Sequence, residues 1–164
     1  MTIRSDPDKW KQLLGDLAAT CGMTLTLYDI DGAVIVRSGD LANDLCRLVQ
    51  GHDSARTTIC SVAQQNIGQE ALVTREPAVG ECDLGMVKLV VPILAGDDVV
   101  GFVGTCGLRE PDAELETFLA SRTLETTEEA LAGPMATVGT VAPEVIERTG
   151  EEIRRALADR TFGR

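Results

Sequence analysis

Two nearly uninterrupted apolar runs, Val87 to Leu94 and Val99 to Thr105, joined through Gly96-Asp97, constrain this chain more than any other feature. A half-exposed strand alternates apolar and polar residues, whereas a strand covered on both faces is apolar throughout. The pair therefore predicts a hairpin at the buried centre of a sheet. Gly101 and Gly104 inside the second run mark places where a backbone or a ligand comes close. Lys88 interrupts the first run. The pattern alone leaves open whether it faces a pocket, to hold an anion, or faces solvent.

The flanks supply helices and further strands. Trp10, Leu13, Leu14, Leu17, Ala18 and Cys21 fall at helical spacing over residues 6–21, with Ser5 or Asp6 as cap, Pro7 in the first turn and Gly22 as the stop. Met23 to Tyr28 alternates as a strand, turns at Asp29-Ile30-Asp31-Gly32 and returns over Ala33 to Arg37. Two amphipathic helices follow, one facing with Leu41, Leu45, Leu48 and Val49 and the other with Ile59, Val62, Ala63 and Ile67. A short strand is expected around Ala71 to Thr74, then a loop from Glu76 to Gly85. After the hairpin come a short helix at Leu115 to Leu119, another opened by a capping box of Thr126 and Glu129, and a long one from Pro143 to about Arg160. No repeat or linker divides the chain, so residues 1–164 are read as one domain.

The formal charge of -11 opposes binding to nucleic acid or an anionic membrane. With aromatic residues at 3 %, there is no stacking platform for bases, and the core has to be aliphatic. No run approaches the roughly 18 apolar residues of a membrane span, and no apolar stretch follows the N-terminal charges as in a signal peptide. The expected compartment is the cytoplasm, where cysteines serve as buried fillers, metal ligands or redox groups rather than as disulfides.

Five cysteines are present. Cys21 sits on the apolar face of the first helix and reads as core. Between Cys46, Cys60, Cys82 and Cys106 lie thirteen, twenty-one and twenty-three residues, with no CxxC pair, so no zinc-ribbon or ferredoxin spacing is present. Their positions say more than their spacing. Cys46 and Cys60 border the apolar faces of consecutive helices, Cys82 lies in the loop entering the hairpin, and Cys106 ends its second strand. Helices laid over one face of the sheet would bring the four thiols into one pocket, where four thiolates suit zinc or an iron–sulfur cluster. Four separately buried thiols are the alternative.

The stretch from about Leu45 to Glu116 resembles the PocR family of sensory domains. The resemblance is carried by Cys46, Cys60, Glu81-Cys82-Asp83-Leu84-Gly85-Met86-Val87-Lys88-Leu89-Val90-Val91-Pro92-Ile93, Gly101 to Leu108, and Glu114 to Phe118. It implies an α+β, GAF/PAS-like fold: a central antiparallel sheet with helices enclosing a ligand pocket, plus terminal helices. It also implies a sensor, not an enzyme, standing beside a separate signalling output protein and pairing as a homodimer. The commoner family pattern has histidine after the loop cysteine and Gly-Gln at the end of the second strand. Asp83 and Cys106-Gly107 stand there instead, resembling a cysteine-richer subset. That departure favours an iron–sulfur cluster, 4Fe–4S or 2Fe–2S, or alternatively zinc, on Cys46, Cys60, Cys82 and Cys106, with Lys88, Gly104 and Gly107 at the pocket. A PocR-type small-molecule binder is the alternative function, and a thiol-dependent enzyme or metal-delivery protein a second. The lone His52, in a polar Gly-His-Asp-Ser loop, reads as a surface residue and leaves most general-base schemes without a base.

Overall fold

The computed structural model describes residues 2–163. Its centre is the predicted hairpin, β4 (Val87–Ala95) and β5 (Asp98–Leu108), built after β1 (Thr24–Asp29), β2 (Val34–Arg37) and β3 (Ala78–Glu81). The strands form one antiparallel sheet in the order β2-β1-β5-β4-β3. The last strand in the sequence, β5, thus lies in the middle, paired on one side with β1 (Leu25 opposite Thr105) and on the other with β4 (Val91 opposite Val103). At Gly101 a side chain would sit 2.6 Å from the Tyr28 carbonyl oxygen, so the close approach expected there is one of backbone to backbone.

Successive side chains on a strand point to opposite faces, and here the two faces differ in character. Leu25, Leu27, Leu89, Val91, Ile93 and Val103 face the terminal helices α1 (Pro7–Cys21) and, at the far end of the chain, a long C-terminal helix (Pro143–Ala158). Those helices add Trp10, Leu14, Ile146, Ile153 and Leu157, and Trp10 stacks on Phe162 with ring centroids 5.4 Å apart. Cys21 is buried in this cluster, as its helical position predicts. Thr26, Tyr28, Lys88, Val90, Phe102 and Cys106 occupy the alternate positions, on the opposite face.

That opposite face is covered by α2 (Asp44–Gln50), α3 (Asp53–Ala55), a π-helical segment (Arg56–Ser61) and α4 (Val62–Thr74). Beyond the sheet, α5 (Thr117–Thr123), α6 (Glu128–Ala136) and the long helix, α7 (Pro143–Ala158), complete the chain. α4 carries Ile67 and Ala71 onto Val90 and Phe102, while Leu45, Val49 and Ile59 pack with Leu84, Met86, Ala120 and Leu131.

Several local expectations are corrected. Residues Ala71 to Thr74 are the last turn of α4 rather than a strand, because the helix continues to its left-handed stop at Arg75. The strand before the hairpin is β3, inside the expected loop, where Ala78 is buried against α4 and Val79 is exposed. The cap of α6 is Thr127, whose hydroxyl accepts the Ala130 N–H, one residue beyond the expected Thr126. Asp6 takes the cap position of α1 without a side-chain hydrogen bond. Val62 does not share a face with Ile59, because the wider π turn shifts the helical phase and turns Val62 outward.

Candidate functional site

Four segments deliver the four cysteines to one place. Cys46 comes from the first turn of α2, Cys60 from the π-helical segment, Cys82 from the turn before β4 and Cys106 from β5. All four line a single pocket of about 50 Å³ between the sheet and the helices that cover it. The predicted convergence is therefore present. Among the described residues, however, no three Cys, His, Asp or Glu groups are arranged to hold one metal ion.

Capping chemistry positions Cys46. Asn43, almost fully buried, caps α2 by accepting the Cys46 N–H at 2.7 Å. Its amide donates to the Gly107 carbonyl at 2.7 Å and lies 3.4 Å from the Cys46 sulfur. Gly107 has φ +107°, and a side chain there would meet Ala42 Cβ at 2.7 Å, so only glycine lets the end of β5 pass beneath the start of α2. Cys60 depends on the π turn. Thr57 and Thr58 hydroxyls donate back to the Asp53 and Ser54 carbonyls, the kind of back-bonding that loosens a helix. The widened turn brings the adjacent residues Ile59 and Cys60 both to the pocket wall.

Burial favours the protonated form of Cys46, Cys60 and Cys82. Burial first, then the neighbouring Cys106, pushes Cys46 well above the ordinary thiol range, against the Asn43 hydrogen bond. Burial, then Cys106, pushes Cys60 up to about 11, with a Gln50 hydrogen bond opposing. Burial also raises Cys82, and hydrogen bonds from the Met86 and Leu84 backbones draw it back.

Lys88 settles the question its sequence position left open: it faces the pocket and is 4 % exposed. Its Nζ lies 3.4 Å from the Tyr28 hydroxyl and 5.0 Å from the centroid of that ring. Burial lowers its pKa, while Tyr28, Cys106 and Cys60 raise it, with the net direction upward. Its only neighbours that offset burial are the Tyr28 hydroxyl and ring and the cysteines, with no carboxylate among the described residues lining the pocket. Gly104 is the floor beside it: a side chain there would lie 2.9 Å from Tyr28 Cε2 and 3.3 Å from both Lys88 Nζ and Gln64 Oε1.

Residues 5–154 match the model of a family described as the sensory domain found in PocR. The chain belongs to this family. No curated protein matches it. Among solved structures, the PocR domain is similar to a double mutant of the PobR transcription factor inducer-binding domain from Acinetobacter, in complex with 3-hydroxybenzoic acid. Identity there is 12 % over 90 % of this chain and 96 % of that one, with a TM-score of 0.39. It is also similar to a putative IclR transcriptional regulator from Silicibacter, at 15 % identity over 90 % of this chain and 68 % of that one, with a TM-score of 0.36. The family match makes this a sensory domain, and its own helices and sheet give it an α+β architecture. Among the described residues no helix is long and apolar enough to cross a membrane.

The other singled-out residues have local roles. His52 caps α3, its Nδ1 accepting the Ala55 N–H at 3.2 Å, and its Nε2 lies 3.8 Å from Glu125. Asp29 accepts the Asp31 and Ala33 N–H groups within its turn, the backbone role expected of it. Sequence reasoning missed Asn43, Tyr28, Arg37, Gln50 and Gln64. Asn43-Asp44 ahead of an apolar run is a legible cap signal. Nothing local marks the others, because their importance comes from what the sheet and helices place opposite them. A larger open groove of about 410 Å³, between Glu76, Pro77 and α7, contains neither cysteine nor buried cation.

Proposed function

We propose that this PocR domain senses a small molecule held in the cysteine-lined pocket and passes its occupancy to a separate output protein. The observation that carries this reading is the pocket's construction. Its walls come from β1, β2, β4, β5, α2, the π-helical segment, α4 and the β3–β4 turn, with Gly107 on its floor. A cavity of 10–15 Å³ on this measure holds one water, so the space here accommodates roughly four water-sized groups. Ala63 lines the roof, and Ala63→Leu would fill that volume. Ligand-observed NMR with a library of small metabolites should find a binder of the wild type that Ala63→Leu no longer binds. Binders unaffected by Ala63→Leu would place the ligand elsewhere, and the reading would fail.

A second reading, an iron–sulfur cluster on Cys46, Cys60, Cys82 and Cys106, is favoured by the meeting of four thiols from four segments. A bound metal deprotonates its thiols outright, overriding the protonated state that burial imposes. Four thiolates would serve a 2Fe–2S or a 4Fe–4S cluster alike. Protein purified without oxygen should then absorb broadly near 400 nm and contain iron and sulfide. Serine at any of the four cysteines should bleach it, and serine at Cys21 should not. Colourless, iron-free protein removes this reading, and a zinc assay on the same sample covers the remaining metal. Homodimer formation belongs to the same proposal and fails if light scattering gives a 17.5 kDa particle at micromolar concentration.

A further inference from the structure

The pocket's charge is opposite to the chain's. A protein with a formal charge of -11 has lined this pocket with Lys88 and Arg37 and with no aspartate or glutamate among the described residues. Arg37 is already engaged, donating to the Gln50 side chain at 2.9 Å. Lys88 is not: no carboxylate approaches it within ion-pair distance among the described residues, and its one hydrogen bond is the long contact to Tyr28. A buried charge is tolerated when something pairs with it.

A second unpartnered group stands beside it. Gln64 on α4 is 3 % exposed, and neither its Oε1 nor its Nε2 has a hydrogen-bond partner. Gln64 Oε1 and Lys88 Nζ both lie 3.3 Å from the point where a Gly104 side chain would begin. An ammonium, a phenol ring and an unsatisfied carboxamide thus crowd around Gly104, with Lys88 and Tyr28 on the cysteine-lined pocket and Gln64 on the neighbouring one. The remaining wall is apolar, with Val49, Ile59, Ala63 and Met86.

We infer that the ligand is a small monocarboxylate, of about two to four carbons, with its carboxylate on Lys88 and Tyr28 and its alkyl end among Val49, Ile59 and Met86. This rests on the small-molecule reading of the pocket and assigns its ligand class. The size follows from the volume, which holds roughly four water-sized groups. A single charge follows from the single unpaired cation. An alkyl tail follows from the apolar wall.

The test is thermal melting and calorimetric titration with acetate, propionate, butyrate and lactate at constant ionic strength, beside propionamide and 1-propanol as neutral partners of similar shape. At a hundredfold excess over its Kd, one of the acids should raise the melting temperature by about 5–10 °C, and its neutral partner should not. Lys88→Met should weaken that acid at least ~100-fold while the ligand-free variant melts at or above the wild type. Lys88→Gln provides a second variant with the same expectation for binding. If propionamide or 1-propanol binds as tightly as the acid, the pocket reading stands and the carboxylate inference falls. If no compound binds, or binding persists in Ala63→Leu, the inference falls together with the pocket reading. Ligand-free Lys88→Met melting several degrees below the wild type would overturn the premise of an uncompensated charge. Stoichiometric iron or zinc in protein that ignores every acid would assign the cation's counter-charge to metal-bound thiolates and overturn the inference as well.

Discussion

Gly107→Ala should be among the most damaging single-methyl additions in the molecule, and its effect can be worked from two independent terms. The residue has φ +107°, a region where a Cβ is strained by about 1–2 kcal/mol. The added carbon would also stand 2.7 Å from Ala42 Cβ, below any real contact distance. Ala42 is not the tip of a flexible chain; it is fixed by its own N–H, which donates to the Thr24 hydroxyl at 2.8 Å. Relief therefore requires backbone movement, at about 1–3 kcal/mol. The terms together give about 3 kcal/mol. At 2–4 °C per kcal/mol for a domain of this size, melting should fall by about 6–12 °C. Gly15→Ala, in mid α1 with its nearest neighbour atom at 3.8 Å, is the control and should be neutral or stabilising by about 0.5–1 kcal/mol. Circular dichroism melts of the two variants decide the matter. Gly107→Ala melting within 2 °C of the wild type, or Gly15→Ala falling as far as Gly107→Ala, would refute the reasoning.

Asn43→Ala removes the cap of α2 and leaves the Gly107 carbonyl without its donor, so urea denaturation should show a loss of about 2–4 kcal/mol; a loss below 1 would contradict the assigned contacts. Cys60, held up to about 11, should be alkylated tenfold faster per pH unit through pH 7–10, and a plateau near pH 9 by peptide mass spectrometry would disprove the shift. Because the native state keeps that proton while the unfolded thiol loses it near 9.0, stability should fall as pH rises between 9 and 11, by at most ~2.7 kcal/mol from this group. Leu89→Ala, one residue from Lys88 but facing the terminal helices, should cost about 2–5 kcal/mol in the same urea assay, and a cost below 1 would contradict its place in the core.

The hairpin was legible because β4 and β5 are apolar on both faces, and the terminal helices because their spacing and stops are local signals. What stayed hidden was helical phase and strand register. The π turn at Arg56–Ser61 adds residues to one turn, and no property of Ile59 or Val62 announces it; the paired Thr57-Thr58 is the nearest sign. β3 was unreadable because Ala78–Glu81 is short and its Val79 faces outward, so no apolar pattern forms. The cysteine convergence could be anticipated from element ends. The polar part of the pocket could not: Tyr28 and Lys88 come from β1 and β4, and only the sheet order β1-β5-β4 brings them together across Gly104.

That division of one sheet into two faces explains how a buried lysine is tolerated at all. On β4, Val87, Leu89, Val91 and Ile93 are each at most 1 % exposed and pack with Trp10, Leu14 and Ile153, so the face toward α1 and α7 is an unbroken aliphatic core. Residues Met86, Lys88 and Val90 between them face the covering helices, with Met86 and Val90 packed into two smaller clusters there. Fully burying one leucine-sized side chain is worth about 1.5–3 kcal/mol, so a few such residues offset the several kcal/mol that an uncompensated ammonium imposes. Stability and ligand chemistry thus alternate residue by residue along a single strand. If the proposed anion binds at Lys88, changes at Leu89 and Lys88, adjacent in sequence, act in opposite directions in the ligand-free protein: loss of the leucine removes core, while loss of the lysine removes a charge that the anion would pair. The proposed ligand would then add its contacts to the apolar clusters already joining α2, the π-helical segment and α4 to the sheet, which would give occupancy a means of tightening them.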